Sequence, residues 1–313
     1  MTKNIKLFLL IILLSIPFWL SYNVIQKNTE EFFYTRNITK EPFYLETHIF
    51  LSNINEQTKK QCFVENITAE SFISQKKNQL LFQKNSNRKL PMASLTKLMT
   101  AVIAKEFYLE NQRIFVSQKA INQLENTGDL RYGELLKIED LLRIMLIESS
   151  NDAAFALTTN MTEKGFVSLM NLKAKELNMQ DTIFYNVNGL DPDDLNRPKY
   201  EINISTTRDL VILTQYILNN YPEIIEIMST KEQSLYLDNG ILHHNLINTN
   251  ILLEEDSHIL GGKTGHTERA GGCLILILRD NLNNHIINII LNSESRFQDM
   301  EKLINCSLPF NSL

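Results

Sequence analysis

Three short groups of residues have the types and the order needed to activate a nucleophile. In Ser94-Leu95-Thr96-Lys97 a hydroxyl and an amine are three residues apart, which puts them on one face if the segment is helical. A serine becomes nucleophilic only beside a base, and a lysine serves if it loses its proton easily. Burial and a second nearby cation both lower a lysine pKa. Ser149-Ser150-Asn151 offers a hydroxyl and an amide on a turn. Lys263-Thr264-Gly265 offers the second cation, another hydroxyl and a residue without Cβ, past which a substrate backbone can run closely. Taken singly, these are a helix-capping serine, a turn asparagine and a surface lysine. Two decoys make the point: Ser74-Gln75-Lys76-Lys77 repeats the S-x-x-K spacing, and Ser21-Tyr22-Asn23 repeats S-x-N. The first falls on a predicted hairpin and the second beside an apolar run, so neither has the context its chemistry needs.

The surrounding elements suit the three groups. Pro91 precedes a helical pattern over 94–108, with Leu95, Leu98, Met99, Val102 and Ile103 on one side. Short alternating runs at 70–74 and 79–83, separated by Lys76-Lys77-Asn78, predict a β-hairpin. Glu139 and Asp140 open a helix through Ile147, which places Ser149 just past its end. Further helices are predicted around 166–177 and over 205–220, the latter stopping before Pro222. Strands return at 258–264, 273–279 and 285–291, and a last helix covers 295–304. Strands, helices, strands and a helix predict an α+β fold. Its antiparallel sheet draws on both ends of the chain, with a helical subdomain inserted between them.

Composition narrows the function. A chain of 313 residues that is 43% hydrophobic can fill a proper core. A formal charge of −5 leaves no basic face for nucleic acid. Cys62, Cys273 and Cys306 have no metal-type spacing; an exported protein could form one disulfide among them, but they are expected to be free and partly buried. His243 and His244 stand in tandem; on a regular strand they face opposite ways, so no metal site is expected there. No cofactor motif is present. Asn37, Asn66, Asn160 and Asn203 match the N-x-S/T pattern by chance in so Asn-rich a chain. Lys3 and Lys6 precede the apolar run from Leu7 to Leu20. Residues 1–27 are therefore expected to anchor the protein in the cell membrane, or to be cleaved on export, with everything beyond them extracytoplasmic. Residues 28–65 read as a stalk, and 66–313 as the folded domain.

The joint set resembles the active site of penicillin-binding proteins and serine β-lactamases. The text around it resembles, more closely, the low-molecular-mass D-alanyl-D-alanine carboxypeptidases. The matching stretches are 91–100, 149–154, Met170-Asn171 with 174–177, Asn188-Gly189-Leu190, 207–210, Asn248-Thr249-Asn250 and 263–267. The resemblance implies a β-lactamase/transpeptidase-like fold and a peptidoglycan stem peptide ending in D-Ala-D-Ala as substrate, with β-lactams as inhibitors. It implies that Ser94 forms the acyl-enzyme and Lys97 takes its proton. Ser149 would relay a proton to the leaving D-alanine, Asn151 would hold the substrate amide and Lys97, and Lys263 would set the field. Thr264 would bind the terminal carboxylate beside Gly265, and the backbone N–H groups of Ser94 and His266 would form the oxyanion hole. Many such proteins carry a β-rich second domain and an amphipathic C-terminal anchor; the sequence after Gly265 holds neither, so the N-terminal segment is expected to anchor instead. Ser150 stands where the family often has glycine and is expected to tighten the pocket rim. The same residues would serve a DD-endopeptidase. A β-lactamase is the nearest rival, since 191–196 faintly echoes an acidic loop of those enzymes. A catalytically dead wall-binding protein is the rival of another class.

Overall fold

The computed structural model describes residues 64–308 apart from 110, 126, 193–197 and 255. The apolar N-terminal run, most of the stalk, Asn37 and Ser21-Tyr22-Asn23 lie outside the described residues. No helix among the described residues is long and apolar enough to cross a membrane.

The expected hairpin is present: β1 (Ser71–Lys76) turns at Lys77, with φ of 51°, into β2 (Gln79–Lys84). A two-residue strand, β3 (Leu90–Pro91), leads into a 3-10 turn at Ala93–Thr96 that runs on into α1 (Lys97–Phe107). The helical insert follows, as β4 (Arg113–Phe115), α2 (Gln118–Ile121), β5 (Leu135–Lys137), α3 (Ile138–Ile147), α4 (Asn151–Ala156) and α5 (Glu163–Glu176). Then come β6 (Ile204–Ser205), which pairs with β3, and α6 (Thr207–Asn220). Pro222 was expected only to end a helix. It also opens α7 (Pro222–Ser229), because a proline in the first turn gives up an N–H that has no helical partner anyway. The chain closes with the hairpin β7 (Glu232–Tyr236) and β8 (Leu242–Ile247), then β9 (Ile259–Thr267), β10 (Gly271–Arg279), β11 (His285–Ser293) and α8 (Arg296–Ser307).

The main sheet has the order β2-β1-β11-β10-β9 and is antiparallel throughout. β1 pairs with β11, Phe72 opposite Ile290, so the sheet is built from both ends of the described chain, as expected. The central strands β10 and β11 are buried along most of their length and accordingly carry nearly continuous apolar runs. Leu274, Leu276, Leu278, Ile286 and Ile290 pack toward Met300 and Leu303 of α8. Cys273, Ile275, Ile277, Ile287, Ile289 and Leu291 face the other way and join the core of the helical insert. A fully buried Asp299 on α8 locks the two ends together. It accepts from the backbone of Thr68 (3.0 Å) and Ala69 (2.9 Å) and from the hydroxyls of Thr68 (2.6 Å) and Ser293 (2.6 Å). β9 is left as a sheet edge, facing the 3-10 turn that holds Ser94.

Two expectations need correcting, and one is supported. Asn203 is 2% exposed, and its amide bonds the Thr96 hydroxyl and the backbone of Tyr185 and Asn186, which agrees with the acceptor pattern there being a chance match. Cys273 is free and buried as expected, but Cys306 is disulfide-bonded. His243 and His244 do not face opposite ways. Leu235 pairs with His244 and Tyr236 with Leu242, which leaves His243 as the extra residue of a β-bulge. The bulge breaks the two-residue alternation and brings the rings together, with centroids 4.8 Å apart.

Candidate active site

Ser94 lies in the 3-10 turn rather than in the α-helix proper. Residues three apart eclipse in such a turn, so Lys97 stands over Ser94 with Nζ 2.8 Å from Oγ. The backbone just before is strained: Ala93 has a φ of 46°. Ser149, past the end of α3, has a φ of 64°. Left-handed non-glycine residues cost about 1–3 kcal/mol each and collect where surrounding packing forces a functional geometry. Two glycines make the forcing visible. A Cβ on Gly265 would meet the Ser94 nitrogen at 3.0 Å, and one on Gly189, whose φ is 88°, would collide with the Ala93 carbonyl. The serine turn thus lies between β9 and the Asn188-Gly189 loop; only glycine fits at position 189, and at 265 any side chain would be tight against the turn.

Lys97 is 0% exposed. Its Nζ has three neighbours: Ser94 Oγ, Asn151 Oδ1 at 2.7 Å and the Asn188 carbonyl at 2.7 Å. Burial first, and then the charge of Lys263, holds the amine well below its ordinary pKa, with Glu125 and Asp152 opposing. A neutral amine has two hydrogens and one lone pair. The two carbonyl-type oxygens take the hydrogens, which leaves the lone pair for the Ser94 hydroxyl. That inventory is the one a general base requires. Lys263 on β9 is 1% exposed, and its pKa is pushed down to about 7 by burial and by the Arg296 guanidinium.

The other motif residues gather round this pair. Asn151 opens α4, capped by the Ser150 hydroxyl bonding the Ala153 N–H at 2.9 Å. The Asn151 Nδ2 donates to the carbonyls of Leu124 (2.8 Å) and Glu125 (3.4 Å). Its amide is therefore held by the loop after α2, and a substrate carbonyl reaches it only by displacing the longer of these bonds. The Ser150 side chain is buried, and a Cβ on Gly128 would lie 2.7 Å from its Oγ. The Ser149 hydroxyl makes no hydrogen bond among the described residues. Thr264 Oγ1 faces Thr249 Oγ1 at 2.6 Å. The His266 side chain is exposed, while its backbone runs in β9 opposite Gly272. All eight expected residues lie on the elements that meet here: the serine turn, α1, the α3–α4 turn and β9.

Supporting residues come from loops that motif spacing does not reveal. Asn188 supplies a carbonyl to Lys97 and bonds Gln123 through its own amide at 3.0 Å. Asp191 is no free acid. Its two oxygens accept from the Thr267 hydroxyl and the Arg269 N–H, each at 3.0 Å, so it fastens its loop to the end of β9. That removes the basis for reading it as the deacylating acid of a β-lactamase. The S-x-x-K decoy is equally inert, since Ser74 is buried in β1 and Lys76 pairs with Asp280 at 2.5 Å.

The profile of a family described as D-alanyl-D-alanine carboxypeptidase matches residues 55–295. The chain belongs to that family. It is 32% identical over 204 residues to the carboxypeptidase DacF of Bacillus subtilis, covering 62% of this chain and 49% of the relative. It is 31% identical over 228 residues to a D-alanyl-D-alanine endopeptidase of Haemophilus influenzae, covering 70% of this chain and 73% of the relative. The chain thus spans about half the length of the carboxypeptidase and nearly three quarters of the endopeptidase. Among solved structures, penicillin-binding protein D2 of Listeria monocytogenes in its cefotaxime-bound form is 29% identical. It superposes with a TM-score of 0.63 over 77% of this chain and 97% of that one. The fold is that of the penicillin-binding proteins, as the motifs implied.

Proposed function

We propose that this protein is a serine D-alanyl-D-alanine carboxypeptidase that removes the terminal D-alanine of peptidoglycan stem peptides. The observation that carries the reading is the buried Lys97 amine, 2.8 Å from Ser94 Oγ, with its two other neighbours both hydrogen-bond acceptors. Ser94 Oγ attacks the carbonyl of the penultimate D-alanine while Lys97 takes its proton. The oxyanion forms against the backbone N–H groups of Ser94 and His266, where one such donor is worth about 3 kcal/mol. Ser149 relays the proton to the departing D-alanine nitrogen, and Thr264 holds the terminal carboxylate beside the Lys263 charge. Water then hydrolyses the Ser94 ester. A β-lactam enters the same step and stalls at the ester. Ser94→Ala should abolish labelling by a fluorescent penicillin while Ser74→Ala keeps it; labelling that survives Ser94→Ala overturns the assignment.

A second reading, DD-endopeptidase, is favoured by one observation: this chain covers a larger share of the endopeptidase relative than of the carboxypeptidase. Both activities use the same serine. Release of free D-alanine from stem peptides, set against cleavage of cross-linked dimers, separates them. We further propose that residues 1–27 stay attached and hold the domain outside the cell membrane. Mass spectrometry of the mature protein should recover the N-terminal peptide, and a mature N-terminus near residues 22–28 refutes this.

A further inference from the structure

The β-bulge at His243 builds a partly buried chain of four titratable groups that ends next to Ser149. His243 Nε2 lies 3.3 Å from Glu134 Oε2, the two Nδ1 atoms lie 2.6 Å apart, and His244 Nε2 lies 2.8 Å from Glu148 Oε2. The four side chains are 2%, 17%, 10% and 13% exposed for His243, Glu134, His244 and Glu148. Glu148 is the residue before Ser149. It also takes a bond from the Ile247 backbone of β8, and its own carbonyl accepts from Thr127 at 3.3 Å. The charged groups around the chain are few. Glu134 comes from the loop ahead of β5, and Asp129 adds negative charge near Glu148. Arg143 of α3 is engaged by Gln233 of β7 and by Glu139.

A proton inventory follows from the three contacts. Each contact needs one hydrogen between its two heavy atoms, because lone pair against lone pair, or N–H against N–H, is repulsive. Three contacts require three protons. Two neutral imidazoles carry only two, so with both carboxylates ionised the unit holds one proton more, wherever it sits, and bears a net charge of −1. With one proton fewer, some contact loses its hydrogen. With one more, two N–H groups meet. The chain is closed in a single protonation state and opens at one link on either side of it. The geometry thus ties the two rings to one hydrogen between their Nδ1 atoms.

We propose that His244 is a positioning residue for Ser149, acting through Glu148, and that the shared proton of the His243–His244 pair makes this positioning dependent on pH. When the chain is closed, the β7–β8 hairpin holds Glu148 from one side and α3 holds it from the other, so the strained Ser149 that follows is presented to the site in one orientation. When a link opens, Glu148 is released and the Ser149 turn relaxes. The inference rests on the reading of Ser149 as part of the acylation machinery.

Two measurements on the full-length protein test it. Nitrogen-15 spectra of the imidazoles across pH should show the two rings changing together. Rings that titrate independently overturn the shared proton, whatever the enzyme does. The second measurement is the rate of acylation by a fluorescent penicillin, taken as a ratio of wild type to variant at each pH, so that the titrations of Lys97 and Lys263 cancel. His244→Ala should be about tenfold slower inside the window where the rings share their proton, the worth of roughly one charge-assisted hydrogen bond, with the ratio falling to one outside it. His244→Gln keeps an N–H donor without a titration, so its ratio should be one inside the window and below one outside it; this milder change also serves if the alanine variant does not fold. A ratio for either variant that does not change with pH overturns the proposal. Wild-type protein that penicillin does not acylate would instead overturn the reading of the site, leaving the ring titration as the test of the shared proton.

Discussion

Replacing Thr264 by valine removes a hydroxyl while keeping the shape of the side chain, which isolates recognition from chemistry. Thr264 is 4% exposed and its Oγ1 faces Thr249 Oγ1 at 2.6 Å. Two hydroxyls at that distance share one hydrogen between them, so the pair presents one further hydrogen outward. If that hydrogen meets the terminal carboxylate of the substrate, its loss costs about 1.5–3 kcal/mol, or roughly tenfold to a hundredfold in rate. Thr264→Val should therefore lower kcat/KM for a D-Ala-D-Ala peptide by that factor and spare a small thioester that lacks the carboxylate. Thr249→Val leaves Thr264 its own hydrogen and removes only its orienting partner, so its effect should be smaller. Because the two hydroxyls act as one donor, the double variant should be no slower than Thr264→Val alone. Lys97→Ala, by contrast, should depress both substrates together. Equal losses on peptide and thioester in Thr264→Val, or losses that add in the double variant, would refute the argument.

Two other perturbations follow from buried charge. Arg296 lowers the Lys263 pKa by repulsion, second to burial, so Arg296→Gln should let Lys263 keep its proton to higher pH. The alkaline limb of the kcat/KM profile for the peptide, expected near 7 in the wild type, should then move upward, and an unmoved limb would count against a charged Lys263 in catalysis. Burial alone would raise the Asp299 carboxyl, but the hydrogen bonds from Ser293 and Thr68 pull it below its ordinary value. A carboxylate with a depressed folded pKa stabilises above its unfolded value near 3.9 and loses that stabilisation as pH falls through the folded one. Asp299→Ala should accordingly cost about 3–5 kcal/mol in denaturant unfolding at pH 7, with the difference from wild type shrinking at acid pH.

What the sequence made legible was whatever depends on local chemistry in a fixed order. The three motifs stand out because each needs particular residue types at particular offsets. The alternating strands and amphipathic helices follow from periods of two and 3.6. The β7–β8 hairpin was missed because Gln233, Ser234 and Leu235 are a poor alternating pattern and the bulge at His243 breaks the period. The same bulge inverted the expected placement of the tandem histidines. The structural role of Asn203 was not visible because a buried amide network carries no local signature; its partners Thr96 and Asn186 are distant in sequence. Asn188 was visible only as part of a similar stretch, since its role lies in a backbone carbonyl, which every residue has. Ser94 itself was placed correctly, but the 3-10 turn that aligns it with Lys97 was not, because the segments packed closely on that turn, at Gly189 and Gly265, are distant in sequence.

Placing two lysines in one water-poor site looks wasteful, since burying either charge is costly, yet the cost is what gives the proton a direction. In the resting site Lys97 is the more fully surrounded, with its hydrogens directed at Asn151 and Asn188, and the nearby Lys263 charge resists protonating it. Deprotonating Ser94 puts a second positive charge beside the first. The new ammonium keeps its three neighbours, but it lies in the field of Lys263 with only the exposed Glu125 and the buried Asp152 to offset that field. A proton gained under those conditions is readily passed on. The Ser149 hydroxyl, without a partner of its own among the described residues, stands at the end of α3 where a relay toward the leaving nitrogen would have to begin. In the proposed reaction a base that bound its proton firmly would complete the first step and obstruct the second, because a departing D-alanine would need that proton back. The repulsion between Lys97 and Lys263 would then serve both halves of that reaction: it would free the lone pair that activates Ser94, and expel the proton once the serine has bonded.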